Sequence, residues 1–183
     1  MRCSMLATAT LALLVSTVYA GSMAPVSHAQ EATARAEALP EIAVAFSEAW
    51  SSGDPEELVA IYAEDALFEE VVLGGAVTHG RDELRAYAGV VYAAFPDFAA
   101  TPVNAFASGN RVVVEWTLTG TYTGQFGSLP LGSGQQVAVR VATVLELTDR
   151  GLIQRDSEYW DFATVLTQLG VVAQAEPAAT PAP

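Results

Sequence analysis

The chain has 183 residues, of which 51% are apolar, and it carries a formal net charge of -13 at pH 7. This length and apolar content fit one globular domain with extensions. Its eight basic residues are all arginines, and the large acidic excess disfavours nucleic acid and anionic membrane surfaces as partners.

The N-terminus has the layout of a secretory signal peptide. Met1 and Arg2 precede an apolar run that ends at Val18, and small residues follow near Ala20 and again near Ala29. The run is short for a membrane span, so we expect cleavage after Ala20 or Ala29, with export and no stable membrane anchor. A retained single-pass anchor is the alternative interpretation.

Composition divides the chain into four segments. We expect a signal peptide over 1–29, a small polar linker over 30–37 and a folded domain over 38–172. The tail, 173–183, is built from Ala, Pro and Thr without periodicity, which predicts disorder.

Few residues suited to metal or thiol chemistry remain after cleavage. The single cysteine, Cys3, lies in the signal segment, and the two histidines are His28 and His79. We therefore expect no disulfide, no cysteine nucleophile, no metal site and no bound cofactor.

Helical spacing predicts two helices at the start of the domain. The first ends near Gly53, and its apolar positions are Leu39, Ile42, Phe46, Ala49 and Trp50. The second begins with Asp54 as the cap, Pro55 in the first turn and Glu57 as the return residue of a capping box. It is expected to bury Leu58, Ile61 and Tyr62.

A strand over Ala66–Leu73 and a third helix follow. The helix is opened by "THGRDELRAY" and ended by Pro96. Glu69 and Glu70 are expected at a solvated strand edge, with one of them facing inward as the alternative. His79 is interpreted as a loop residue at the start of the helix.

From Phe98 onward the apolar period changes from helical to two. The runs "NRVVVEWTLTGTY" and "QQVAVRVATVLEL" predict long strands, and "GLIQRDSEYW" predicts a hairpin partner reached through a turn at 148–151. A last helix, capped by Asp161, ends at Gly170. The whole order predicts an α+β domain, with helices packed on a curved antiparallel sheet.

This order of elements resembles the cone-shaped fold of the nuclear transport factor 2 and ketosteroid isomerase superfamily. The stretches "AWSSGDPEELVAIYAEDALFEE", "HGRDELRAY" with "AAFPD", and "WDFATVLTQLG" look like the SnoaL-like polyketide cyclase family, and the last of these is the most specific. The resemblance covers nearly the whole domain. It implies a bent sheet enclosing a pocket, a short C-terminal helix and a possible homodimer paired through its sheets.

Two acids precede the last helix on one side of a strand. Asp156 and Glu158 are two residues apart and project to the same face as Leu152, Gln154 and Trp160. That face is either the pocket or solvent, and the residues alone leave both open. The resemblance implies that Glu158 holds the position of the family's acid/base carboxylate, and that Asp156 stands where the family often carries a histidine.

Other residues are candidates for substrate binding. Trp160 and Leu152 are expected to supply apolar walls beside Glu158, and Trp116 is expected in the core or the pocket lining. Phe68 stands where related cyclases tend to have an asparagine. Arg140 and Thr143 lie on opposite faces of the strand expected to pair with the acids; either can orient a carbonyl group, because the register is ambiguous by one residue.

The resemblance implies a function of the cyclase or isomerase type. We expect an exported, cofactor-free acid/base enzyme acting on a small apolar carbonyl compound such as a polyketide ester. The alternative is a non-catalytic exported domain that binds a small hydrophobic ligand.

Overall fold

A computed structural model describes residues 39–173 of the chain. The expected signal peptide and linker lie outside the described residues, as does the expected tail except for Ala173. Within 39–173, no helix is both long enough and apolar enough to cross a membrane.

Four α-helices lie in this part of the chain: α1 (Glu41–Ser51), α2 (Pro55–Ala60), α3 (Gly80–Ala94) and α4 (Phe162–Gln168). Asp54 caps α2 by accepting a hydrogen bond from the Glu56 amide at 2.8 Å, as predicted. The return bond from Glu57 was predicted wrongly, because the Asp54 amide donates to the Ser52 hydroxyl instead, at 3.0 Å.

The strands form one six-stranded sheet in the order β2-β1-β6-β5-β4-β3. Their bounds are β1 (Tyr62–Glu70), β2 (Ala76–His79), β3 (Ala99–Ser108), β4 (Arg111–Tyr122), β5 (Gln135–Leu147) and β6 (Ile153–Trp160). The predicted α+β cone is confirmed. All neighbouring strands are antiparallel except β1 and β6, which run parallel.

The early part of the domain differs from the sequence-based expectation. Tyr62 begins β1 instead of ending α2, so the first strand starts four residues before the predicted Ala66 and ends at Glu70. The four-residue strand β2 was not predicted, because it is too short to show a period. A 3-10 turn over Val71–Leu73 and the left-handed Gly74 join the two strands.

Strand register decides which side chains face the helices. Asp156 pairs with Phe68 of β1, and Glu158 pairs with Glu70 of β1 on one side and with Thr143 of β5 on the other. All five of these side chains are buried. The face that carries Asp156 and Glu158, for which the residues alone left both pocket and solvent open, therefore points inward.

The face shared by the two acids is shorter than predicted. The pairing between β1 and β6 shifts between Ile153 and Arg155, so Ile153 is buried in the core although it is three residues from Asp156. Gln154 points outward and donates to the carbonyl of Asp65 at 3.3 Å. Leu152 precedes the strand and packs at the edge of the core.

Candidate active site

A cavity of about 60 Å³ lies between the inner face of the sheet and the helices. A buried water molecule needs a cavity volume of at least ~10–15 Å³, so this cavity has room for several waters or a small organic molecule. Aromatic side chains dominate the lining, and they include Trp50, Tyr87, Phe98, Trp116, Phe126 and Trp160. Two carboxyl groups, Glu70 and Glu158, complete it.

Glu158 projects from β6 into this cavity and is 5% exposed. Its Oε1 atom is buried and has no hydrogen-bond partner in the described part of the chain. Burial raises the pKa of Glu158 well above its usual range, and the charges of Asp156 and Glu70 raise it further; the Thr143 hydroxyl opposes this change. Glu158 therefore brings a carboxyl group with raised proton affinity to the lining of the cavity.

Glu70 is the second carboxyl group in the cavity lining. Its Oε1 accepts a hydrogen bond from the Tyr87 hydroxyl, and its Oε2 accepts one from the Trp160 indole at 2.7 Å. Burial raises the pKa of Glu70, while the two hydrogen bonds counter part of the increase. Glu70 is thus held in place and Glu158 is the less constrained of the pair.

Asp156 lies behind Glu158 and does not line the cavity. It is fully buried, and its Oδ2 accepts a hydrogen bond from the Tyr62 hydroxyl at 2.6 Å. Burial raises the pKa of Asp156 to about 8, the Tyr62 hydrogen bond opposes the increase, and the charge of Glu70 adds to it. Asp156 therefore acts on the cavity electrostatically, through Glu158.

A buried contact between strands fixes the Trp116 wall of the cavity. The Trp116 indole of β4 donates to the Thr143 hydroxyl of β5 at 2.9 Å, and Thr143 is fully buried. Thr143 therefore connects Glu158, its neighbour on β6, with an aromatic wall of the cavity. It contacts the site from behind, since it is not part of the lining.

A loop and a helix close the cavity on the remaining sides. The β4–β5 connection contributes Phe126 and Leu129, and α4 contributes Phe162 and Val165. Asp161 caps α4 by accepting from the Thr164 amide at 3.0 Å, which confirms its predicted structural role. The capping bond sets where Phe162 begins the helix and so where this wall stands.

Three of the predicted substrate-binding residues lie away from the cavity. Arg140 points outward from β5, its side chain is 65% exposed, and its nearest acid is Glu115 at 3.8 Å, so it does not reach the site. Phe68 is buried but packs against Trp50 and Tyr87 behind the lining. Trp160 and Trp116 line the cavity, as predicted, whereas Thr143 only supports it.

The solvated-edge prediction is wrong for Glu70 and correct in direction for Glu69. Glu69 faces outward and pairs with Arg155 at 2.7 Å, whereas Glu70 is 5% exposed. The signal available in the sequence was the alternation of Ala66, Phe68 and Glu70, which places the acid on the apolar face. His79 is exposed at the end of β2, outside the site.

The described residues also bear on metal binding. Across 39–173, no group of three or more His, Cys, Asp or Glu side chains is arranged to hold a metal ion. The site holds a pair of carboxyl groups in an aromatic enclosure. Such a pair can transfer protons or bind a charged group.

Comparison with protein-family models identifies the family of this chain. The sequence model described as "SnoaL-like domain" matches residues 43–155, more than half of the chain. The chain belongs to the SnoaL-like domain family. A search of curated proteins gives no significant match to this SnoaL-like domain.

Solved structures give the same fold. A protein with a ketosteroid isomerase-like fold from Catenulispora acidiphila, solved in complex with trimethylamine, is 26% identical; the match covers 76% of this chain and 99% of that one, with a TM-score of 0.63. A candidate polyketide cyclase from Xanthomonas campestris is 22% identical over 69% and 92% of the two chains, with a TM-score of 0.62. Another from Pseudomonas putida is 20% identical over 70% and 96%, with a TM-score of 0.64.

Proposed function

We propose that this SnoaL-like domain is a cofactor-independent acid/base enzyme of the cyclase or isomerase type, and that Glu158 is its acid/base group. The observation that carries the proposal is the carboxyl group of Glu158, which lines an aromatic cavity and whose buried Oε1 atom has no hydrogen-bond partner among residues 39–173. The polyketide cyclase-type fold of the family supports the same reaction class.

The proposed reaction begins with proton abstraction. The Glu158 carboxylate removes a proton from the carbon next to a substrate carbonyl; the C–H electron pair forms a C=C bond, and negative charge moves to the carbonyl oxygen as an enolate. The enolate carbon then attacks a second carbonyl of the same molecule, or takes a proton at another position. Glu158 returns its proton to the product, so no co-reactant is consumed.

The surroundings of Glu158 suit a proton-transfer group. A raised pKa makes its carboxylate a stronger base than a surface glutamate, and the nearby aromatic walls exclude water that would stabilise the ionised form. The largely apolar lining favours a small, mainly apolar carbonyl compound, for which a polyketide ester is one example.

The test is to replace Glu158 by glutamine. A screen of enolisable ketones and polyketide methyl esters first supplies a substrate, and kcat/KM is then compared among the wild type, Glu158→Gln and Glu69→Gln. We expect Glu158→Gln to lower kcat/KM by on the order of a hundredfold or more, because general acid/base groups contribute that much. Glu69→Gln, the matched control on the outer face, is expected to retain wild-type activity; a fully active Glu158→Gln enzyme contradicts the mechanism.

A second candidate function is binding without turnover of a small hydrophobic ligand. The predominance of aromatic and aliphatic side chains in the lining favours it, and the Catenulispora protein of similar fold was solved in complex with a small molecule. Ligands that bind this cavity while none in the screen is converted favour the binding domain over the enzyme.

Export is also part of the proposal. The short apolar run near the N-terminus and the small residues at Ala20 and Ala29 support a cleaved signal peptide. N-terminal sequencing of exported protein is expected to begin after one of these two residues, and recovery of Met1 contradicts the proposal.

A further inference from the structure

We propose that the cavity binds a compact organic ammonium group, with aromatic rings surrounding the alkyl groups of the cation and the Glu158 carboxylate as its counter-ion. The inference names a chemical class for the ligand of the cavity used in the proposed function. It is tested by binding alone, so its failure is distinguishable from a failure of the catalytic proposal.

The first observation is an excess of buried acid without a basic partner. Glu70, Asp156 and Glu158 are each 5% exposed or less, and none of the cavity-lining residues in the described part of the chain is an arginine. Four of the described arginines, Arg85, Arg111, Arg140 and Arg155, pair with acids outside the cavity, and Arg81 donates to the Tyr62 carbonyl. Since buried carboxyl groups are costly unless paired, a cation in the cavity supplies the positive charge that the lining does not.

The second observation is the aromatic enclosure. Trp50, Phe98 and Trp116 form one connected group, with the rings of Trp50 and Phe98 5.7 Å apart and those of Phe98 and Trp116 6.3 Å apart. Trp160 and Tyr87 stand beside the carboxyl groups. Aromatic faces attract cations, and cages of this kind recognise alkylated ammonium groups.

The third observation identifies which carboxyl group meets the ligand. Both oxygens of Glu70 already accept hydrogen bonds from the protein, whereas Oε1 of Glu158 accepts none. Asp156 is separated from the cavity. Glu158 is therefore the lining acid with a carboxyl oxygen that is not already engaged by hydrogen bonds from the described residues.

Cation binding must be coupled to proton release in such a site. The titratable groups near Glu158 are Glu70 and Asp156, together with the buried phenols of Tyr62 and Tyr87. Burial favours the neutral form of the carboxyl groups when the cavity holds no cation, and a bound cation favours the ionised form. Affinity for a permanent cation is therefore expected to rise with pH, with protons released on binding.

The experiment compares choline with its uncharged isostere, 3,3-dimethylbutan-1-ol, by titration calorimetry at pH 6 and pH 8. We expect choline to bind at least about tenfold more tightly than the alcohol at pH 8, and several-fold more tightly at pH 8 than at pH 6. Measurements in two buffers of different ionisation enthalpy report the protons released. Equal affinity for the two ligands, or no binding of choline, overturns the proposal.

Single-residue variants test whether Glu158 is the counter-ion of the bound cation. Glu158→Gln is expected to reduce choline affinity at least about tenfold and to remove most of its pH dependence, while binding of the alcohol changes little. Glu69→Gln removes the same charge from the adjacent outer face and is expected to bind choline as the wild type does. Wild-type affinity in Glu158→Gln overturns the assignment of the counter-ion; if that variant does not fold, Glu70→Gln and the choice between the two ligands still decide the proposal.

Discussion

Asp156 and Glu158 interact although they make no direct hydrogen bond to each other. They are neighbours on one face of β6, and the negative charge of Asp156 is the second-largest cause of the raised pKa of Glu158, after burial. Asp156 is itself held by the Tyr62 hydroxyl. The proton affinity of the cavity is thus set partly by a residue that no ligand touches.

Replacement of Asp156 by asparagine is expected to lower the pKa of Glu158. The substitution keeps the shape and removes the like charge, so the ionised form of Glu158 becomes easier to produce. The carboxyl stretching band in infrared spectra, followed against pH, reports the change. Glu69→Gln serves as the control for removal of a nearby outward charge, and an unchanged or higher pKa in Asp156→Asn contradicts the prediction.

The sequence could identify Glu158, but it could not show that Glu70 lies beside it. The spacing of two between Asp156 and Glu158 placed both acids on one face without knowledge of the fold, and the motif after Trp160 singled out Glu158. Glu70 required the neighbour of β1 to be known, and that neighbour is β6, more than eighty residues later. Tyr87 joined the site for the same reason, because its hydroxyl meets Glu70 only after α3 packs on β1.

At the scale of elements, the β4–β5 loop is held by close backbone contact with the end of α3. The amides of Thr123 and Gly124 both donate to the Ala94 carbonyl, at 2.9 and 3.2 Å. A Cβ atom on Gly124 would stand 2.3 Å from the Ala93 carbonyl oxygen, so the backbones approach too closely for any side chain. Phe126 depends on this contact for its place in the cavity.

Gly124→Ala is therefore expected to destabilise the loop. The added methyl group must push the loop away from α3, at a cost of about 1–3 kcal/mol in the free energy of unfolding. Urea unfolding gives this value, and amide hydrogen exchange in the loop is expected to accelerate. Gly89→Ala in α3 is the matched control: nothing lies within 4 Å of its Cβ position, and alanine favours the helix, so it should be neutral or stabilising. Equal effects of the two variants argue against the steric explanation.

Elements with many residues were predictable from the sequence, whereas short or distant pairings were not. The twelve residues of β4 and the thirteen of β5 are long enough to show the two-residue apolar period of a strand. Asp161, as a capping residue, predicts the start of α4. The parallel pairing of β1 with β6 depends on the position of β6 in the sheet, and four other strands separate the two along the chain. No local sequence pattern encodes this position. The shift in register at Ile153 follows from the same pairing, which is why Gln154 was assigned to the wrong face and why Leu152 lies before the strand.

For the whole molecule, the buried acids predict an uncommon dependence of stability on pH. Carboxyl groups in the unfolded chain have pKa values near 4, while the folded chain raises the pKa of Asp156 to about 8 and also raises those of Glu158 and Glu70. Between the pH values that match the unfolded and the folded pKa, the folded state binds more protons than the unfolded state. Stability must then fall as pH rises through that window.

The free energy of unfolding is expected to be greater at pH 5.5 than at pH 7.5, by about 2 kcal/mol or more, since each proton held only by the folded state contributes roughly 1.4 kcal/mol per pH unit. Urea unfolding across this range measures it. Asp156→Asn is expected to flatten the slope, while Glu69→Gln, which removes an acid from the outer face, leaves the slope in place. If the free energy of unfolding has the same dependence on pH in both variants, general charge repulsion is the cause instead.

The position of the tryptophans has an optical consequence. The chain contains three of them, and all three, Trp50, Trp116 and Trp160, line the one cavity that also holds Glu158. Tryptophan emission from the protein, excited where tyrosine does not absorb, therefore comes from the cavity walls, without background from indoles elsewhere in the chain. Because Trp160 donates its indole N–H to Glu70, the emission maximum is sensitive to both the polarity and the protonation of the site, and the molecule needs no attached label to show when the cavity is filled.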